Sequence, residues 1–379
     1  MKTIEARNVN QALQMGLKYL IEEGKEEQSR AGNVLVAPVP VMTVTRFPQE
    51  RVLFSSVRDA NPFFHLREAM WMLAGGNKVK ALTPYVSRFV EFAEPDGTVH
   101  GAYGHRWRHA LGFDQLEHVI NVLKADPMSR QCIIQMWDAR DQYQLCCEAN
   151  EREDLSGEND LRGKWKDRPC NTHIYLRIQP GKTLGHHTLD QIVTLGESTL
   201  DLTVCCRSND AVWGAHGANA VHFSILQEYL AARIGVGMGK MYQLSNNYHA
   251  YLDELDRLTI RGECTLGKLP EIIEGDRVTE TPEPLFDKPD AINKDIQTFE
   301  TWCDLDTYHP KKMMNYDNYE NRWFETTLMP AMLAHERYKK SGAKIQGSVA
   351  TAIASALASE IRSMDWRIAC TEWLQRRKK

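Results

Sequence analysis

Two hydrophobic periods follow one another between residues 131 and 234, and this succession restricts the folds open to the chain. Residues 131–137, 172–178 and 200–206 read as central strands. In the second of these, Thr172, Ile174, Leu176 and Ile178 face one way while His173, Tyr175 and Arg177 face the other. Residues 219–234 then switch to helical spacing, with Val221, Ile225, Leu226, Tyr229 and Leu230 on one side. Two more helices are expected: 10–23, carrying Ala12, Leu13, Met15, Leu17, Leu20 and Ile21, and 64–73, where Leu66, Met70 and Leu73 share a face. Between them the Val-rich stretch 34–44, with Pro38 and Pro40, suits an edge strand. Strands and helices interleaved in this way predict an α/β protein.

The chain has 379 residues, 42% hydrophobic and 25% charged, which excludes disorder for most of its length. That length allows one large domain with an annex or two moderate domains. Lys plus Arg number 46 against 50 Asp plus Glu, a net charge of −4, so non-specific nucleic-acid binding is disfavoured. No run approaches the ~18 apolar residues of a membrane span, and the charged N-terminus lacks a signal-peptide core, so a cytoplasmic location is expected. Nine cysteines, an odd count without zinc spacing, predict reduced thiols and no metal. Residues 151–168 are dense in charge and read as an exposed loop or a salt-bridged flap, equally a surface insertion or a lid. Pro282, Pro284 and Pro289 mark residues 280–291 as a linker, dividing the chain into a catalytic part, 1–280, and a helical extension, 281–379. In that extension Val349, Ile353, Leu357, Ile361, Met364 and Ile368 keep helical spacing, ahead of Arg376, Arg377, Lys378 and Lys379.

Chemistry concentrates in two short segments. In Asp167-Arg168-Pro169-Cys170-Asn171-Thr172 a cysteine stands at a strand mouth, either as a buried structural thiol or as a nucleophile whose pKa neighbouring cations lower. In the segment from Cys206 to Asn219, a strand delivers Arg207 and Ser208, able to clamp phosphate, then Asp210 and a small-residue loop with Gly214 and Gly217. Asn219 is either the cap of the following helix or a ligand-reading amide.

Seven pieces in order carry a resemblance: Ser29-Arg30-Ala31-Gly32, residues 66–75 (LREAMWMLAG), residues 101–108 (GAYGHRWR), Asp126-Pro127-Met128-Ser129-Arg130, Pro169-Cys170, Arg207-Ser208-Asn209-Asp210 and Asn247-Tyr248-His249-Ala250-Tyr251. The chain resembles thymidylate synthases and the related deoxypyrimidine-monophosphate hydroxymethylases from about Arg30 to Tyr251. The resemblance implies a mixed β-sheet packed with helices, a homodimer, and 5,10-methylenetetrahydrofolate as co-substrate. It also implies that Cys170 adds to C6 of the pyrimidine. Arg30, Arg207 and Ser208 would hold the 5′-phosphate, with Arg130 reaching the partner subunit's site. Glu68 would organise water and proton transfer at O4, Tyr103 would help remove the C5 proton, and Asp210 would meet the pterin. Asn219 would read the base's 3,4 edge, and His249 with Tyr251 would bond the ribose 3′-hydroxyl.

An Asn amide can donate to O4 and accept from N3–H of uracil, whereas cytosine favours an acceptor such as Asp, so Asn219 points to dUMP. The 214–219 loop is one residue longer than is usual in the family, and His216 within it is either a base contact or a structural residue. Other departures concern the end of the reaction. Phe89 stands where synthases place a Trp beside the methylene, Asn171 replaces the His after the cysteine, and Gln131 replaces a phosphate arginine. The familiar C-terminal ending is absent, so water addition is favoured over hydride transfer. The expectation is a dUMP 5-hydroxymethylase of the kind that supplies modified pyrimidine for viral DNA. The alternatives are a dCMP hydroxymethylase, a thymidylate synthase, or a catalytically silent nucleotide-binding regulator.

Overall fold

The computed structural model describes residues 1–29, 32–56, 58–143, 166–181, 198–258, 282–304, 319–341 and 347–377. Its strands are β1 (Lys2–Ala6), β2 (Lys25–Ser29), β3 (Gly32–Val36), β4 (Val41–Thr45), β5 (Ile133–Gln135), β6 (Asn171–Gln179), β7 (Thr199–Asp210) and β8 (Gly237–Tyr251). They form one mixed sheet in the order β1-β4-β8-β7-β6-β5, with the β2–β3 hairpin attached to the end of β8. The helices are α1 (Val9–Glu23), α2 (Pro62–Leu73), α3 (Tyr103–Arg108), α4 (Gln115–Ala125), α5 (Asn219–Ile234), α6 (Leu252–Leu258), α7 (Ile292–Asp304), α8 (Met329–Ser341), α9 (Gly347–Ser359) and α10 (Met364–Gln375). This is the α/β architecture expected, and no helix among the described residues is long and apolar enough to cross a membrane.

Local chemistry explains where the central helices start. Asn8 accepts from the N–H groups of Asn10 and Gln11 at the start of α1. Asn61 accepts from Phe64 N ahead of α2, and Pro62 occupies a first-turn position where no N–H is missed. α5 is buried on nearly every side, because it lies between strands β7 and β8 and helices α2 and α4.

Three strand and helix expectations are corrected. The 34–44 stretch is two strands, broken around Pro38 and Pro40, and β4 is interior, between β1 and β8. The prolines sit in the connection, where no ladder N–H is needed. The 131–137 segment is not central: β5 keeps three residues at the sheet edge, with Ile133 44% exposed. The long apolar stripe of the tail is interrupted between α9 and α10, so Ile353 is exposed while Ile361 is buried in the break. Three strands escaped the sequence reading, β1, β2 and β8; the last buries Gln243 and Ser245 along with Met241, and its inward polar residues hide the alternation.

The C-terminal region shares the main core. Leu285, Phe286, Phe299, Trp323, Phe324 and Trp373 pack in the same cluster as Phe63, Leu66, Phe223 and Tyr229. Buried ion pairs cross the junction: Arg67 on α2 meets Glu300 on α7 at 2.5 Å, and Arg51 meets Glu228 on α5, whose other oxygen accepts from Leu285 N. Such pairs specify partners even when their net stabilisation is small.

The last turns of the chain are held by Asp59. Its carboxylate accepts from Arg376 Nε at 3.0 Å and Arg377 Nη2 at 2.8 Å, while Arg377 also stacks on Trp373. Burial alone would raise the Asp59 carboxyl, but Arg377 and Arg376 bring it below its ordinary value. A depressed acid stabilises the fold above its unfolded pKa and loses that contribution as pH falls through the lower folded value. Asp59→Asn should therefore cost about 1 kcal/mol at pH 7 in urea denaturation, the upper range for partly exposed pairs, with the difference from the native protein shrinking as pH falls through the lowered folded value of this carboxyl.

Candidate active site

The start of β6 and the end of β7 meet in antiparallel register, Asn171 opposite Cys206, with a bulge between Asn171 and His173. The bulge moves Thr172 to a half-buried position and turns Asn171 inward, fully buried, while Ile174, Leu176 and Ile178 stay in the core as their alternation requires. One residue ahead, Cys170 is half-buried at the mouth of a cleft of about 380 Å³. Arg207 N donates to Cys170 O at 2.8 Å, Arg207 Nε donates to Pro169 O at 2.9 Å, and its Nη2 stands 3.8 Å from Cys170 Sγ. The guanidinium is thus fixed by main-chain bonds beside the thiol, where it favours thiolate over thiol.

Tyr103 opens α3 and accepts from the N–H groups of Cys170 at 3.2 Å and Asn171 at 3.4 Å. Burial, reinforced by the nearby Cys170 and Asp167, pushes its phenol well above the ordinary value, so it stays neutral. α3 reaches this position because Gly104 lies directly on the backbone of Met72 in α2. α2 in turn carries Glu68 to the cleft, where Oε2 lies 3.1 Å from His222 Nε2 of α5. The approach is off the hydrogen-bonding direction for both atoms, leaving them buried without a linear partner.

At the far end of β7, Asp210 Oδ1 accepts from the N–H groups of Val212 and Trp213 and so caps the 211–218 segment; its Oδ2 is buried without a partner. Burial raises this carboxyl against the opposing effect of the two N–H bonds and of His249. Ser208, Asn219, His249 and Tyr251 line the same cleft, with His249 Nδ1 bonded to Asn247 Oδ1 at 2.8 Å. Phe89 lies on an aromatic wall with Trp71 and Phe92. Arg58 stacks 3.9 Å from the Trp213 ring and donates to Val212 O, bracing the loop on the opposite wall.

Of the residues singled out from sequence, Glu68, Phe89, Tyr103, Cys170, Ser208, Asp210, Asn219, His249 and Tyr251 line one cleft, and Arg207 flanks it. Arg130 is exposed on the turn before β5, away from the cleft. Arg30 and residues 151–165 of the charged loop lie outside the described residues. His216 is structural: 1% exposed, it bonds Tyr248 Oη at 2.8 Å beneath Gly16, and burial pushes its imidazole down to about 3. Sequence reasoning passed over Trp71, Asp167, Trp213 and His222, all on the cleft wall. His222 was within reach, since it stands one helical turn after Asn219 and shares its face.

A model of the thymidylate synthase family matches residues 12–281. A deoxyuridylate hydroxymethyltransferase of Pseudomonas phage M6 is 34% identical over 100% of this chain and 95% of its own length. Another, of Bacillus phage SP01, is 31% identical over 63% of this chain and 56% of its own. A thymidylate synthase of Francisella philomiragia is 22% identical over 72% of this chain and 89% of its own.

The Gly104 contact is open to a direct check. Alanine in a helix interior normally gains about 1 kcal/mol over glycine. Here a Cβ would overlap Met72 backbone, so Gly104→Ala should instead destabilise by about 1–3 kcal/mol in urea denaturation. With Cys170, Glu68, Tyr103 and Asn219 lining one cleft flanked by Arg207, and a family model covering most of its length, the chain belongs to the thymidylate synthase family.

Proposed function

We propose that the protein transfers a hydroxymethyl group to C5 of dUMP, with 5,10-methylenetetrahydrofolate as the one-carbon donor. The observation that carries this reading is the similarity to the phage M6 deoxyuridylate hydroxymethyltransferase, which runs through the C-terminal region beyond the family model.

The nucleotide enters with its phosphate toward Arg207 and Ser208, joined by Arg30 and by Arg130 from a second subunit. Cys170 Sγ, as thiolate beside Arg207, adds to C6 and shifts electron density to C5 and O4. Asn219 donates to O4, where that charge develops, and accepts from N3–H. His249 and Tyr251 bond the ribose 3′-hydroxyl. Tyr103, kept neutral by burial, orients the water that removes the C5 proton.

Folate fits the remaining surface: Trp71, Phe89, Phe92 and Trp213 offer flat apolar faces, and the unpartnered Asp210 Oδ2 suits pterin N–H donors. When bound, it supplies a carbon at the oxidation level of formaldehyde. Glu68, with an oxygen free of linear bonds, holds the water that adds to the C5 methylene as Sγ leaves C6. Overall dUMP, methylenetetrahydrofolate and water give 5-hydroxymethyl-dUMP and tetrahydrofolate, with no hydride transferred.

Incubating enzyme, dUMP and methylenetetrahydrofolate while following dihydrofolate absorbance and nucleotide mass tests this. The expected product is heavier than dUMP by CH2O, with no dihydrofolate; dihydrofolate with a 5-methyl product overturns it. Cys170→Ser should lower turnover by roughly 10³-fold or more, as loss of a nucleophile does.

The uncovered face of the sheet supports a homodimer: Tyr175 is 46% exposed there, beside half-buried His173, Thr203 and Cys205. Sedimentation should give twice the 43.4 kDa chain mass, and Tyr175→Arg should shift it toward one chain.

A further inference from the structure

Asn219 belongs to a closed ring of four buried side chains. Cys206 Sγ donates to Asn171 Oδ1 at 2.8 Å, and Asn171 Nδ2 donates to Asn219 Oδ1 at 3.2 Å. Asn219 Nδ2 donates to Asn209 Oδ1 at 3.0 Å, and Asn209 Nδ2 returns to Cys206 Sγ at 3.5 Å. Asn209 Nδ2 also donates to Ser245 Oγ at 2.9 Å, and a longer contact of 3.4 Å joins Asn219 Nδ2 to Asn171 Oδ1. Asn171 is 0% exposed, Asn209 2%, Cys206 3% and Asn219 8%, so water does not substitute for these bonds.

The four bonds from Cys206 to Asn171, Asn171 to Asn219, Asn219 to Asn209 and Asn209 to Cys206 run the same way round the ring, and that direction has consequences. An amide can be turned end for end with little change of shape, exchanging its donor for its acceptor. Here Cys206 closes the ring and anchors it: its thiol has a single proton, which burial keeps in place and which is given to Asn171 Oδ1, so reversal would require that proton to pass to Asn209 and all three amides to turn together. Asn171 Nδ2 must then point at Asn219, which must accept with Oδ1 and donate with Nδ2. Turning Asn219 alone would set donor against donor at Asn171 and acceptor against acceptor at Asn209. Buried groups left unpaired in this way are strongly disfavoured.

In its two shorter bonds Asn219 uses one lone pair and one N–H; its other N–H makes only the 3.4 Å contact with Asn171 Oδ1, and that N–H with the second lone pair is what Asn219 can offer a ligand in the cleft it shares with Cys170. Uracil presents the complement of that pair, the O4 acceptor beside the N3–H donor. Cytosine presents the reverse, an N4 donor beside the N3 acceptor, and needs the turned amide.

We propose that Asn171, Cys206 and Asn209 are positioning residues that set the preference for uracil over cytosine by holding the Asn219 amide in one orientation. The proposal rests on the reading above that Asn219 contacts the base. Asn171→Asp keeps the shape but replaces the donor facing Asn219 with an acceptor, so the amide is driven to turn. Cys206→Ala removes the anchor, and Cys206→Ser restores a hydroxyl donor at the same place.

Release of tritium from [5-³H]dUMP and [5-³H]dCMP, with methylenetetrahydrofolate present, reads C5 activation on each base. The ratio of kcat/KM for dUMP to that for dCMP should fall by about tenfold or more in Asn171→Asp and in Cys206→Ala, the effect of about 1.4 kcal/mol. Cys206→Ser should hold it within about threefold of the native ratio, an outcome that general damage to the core would not give. A ratio unchanged in Asn171→Asp and Cys206→Ala, with the native enzyme releasing tritium from dUMP, overturns the proposal alone. A ratio that falls equally in Cys206→Ser also overturns it. No release from dUMP by the native enzyme overturns instead the functional reading on which it rests.

Discussion

The register between β6 and β7 is the constraint on which the site depends. Asn171 stands opposite Cys206, and Arg207 N bonds Cys170 O just beyond, so the thiol and its guanidinium are fixed by main chain before any side chain chooses a rotamer. A slip of one residue would reverse every face of β6, sending Ile174, Leu176 and Ile178 outward and Cys170 away from the cleft. The buried apolar face makes such a slip costly, and the irregularity of the pair, the bulge after Asn171, falls where that polar side chain is turned inward.

Other elements converge on that register. α2 and α3 touch through Gly104, which brings Glu68 and Tyr103, 35 positions apart in the chain, to the same wall. α5 presents Asn219 and His222 on consecutive turns beneath the strand ends. Among the described residues the C-terminal region contributes none to the cleft lining, yet its helices pack into the common core and its last arginines grip Asp59, next to the Arg58 that braces Trp213. Rigid supports of this kind hold catalytic groups in place at no cost during the reaction.

The polar groups divide by environment. Buried groups are held neutral: the Tyr103 phenol, the Cys206 thiol and His216 all shift in the direction that removes charge. Charge is retained where partners are fixed, as in the Asp141 carboxylate, which His100 and Arg106 hold well below its ordinary value despite burial. Against this neutral, hydrogen-bonded interior, the Arg207 guanidinium stands beside the Cys170 thiol at the mouth of the cleft.

Local pattern was enough for α1, α2, α5 and the strands β6 and β7, because each carries a strong hydrophobic period that tertiary packing merely uses. The residues Cys170, Glu68, Tyr103, Asp210 and Asn219 were also legible, through short motifs whose order the chain preserves. The same pattern misplaced β4 and β5, since whether a strand is interior or edge depends on what pairs with it, and it missed β8, whose buried Gln243 and Ser245 break the apolar alternation. It left His216 open between ligand and core, and only packing beneath Gly16 decided for the core. Sequence determined which chemical groups are available and which segments are helix or strand, because those follow from side chains near one another in the chain. The direction of the hydrogen-bonded ring at Asn219, the pairing of Glu68 with His222, and the docking of the tail were decided by tertiary structure alone, because they join groups that meet only when distant segments close on one core.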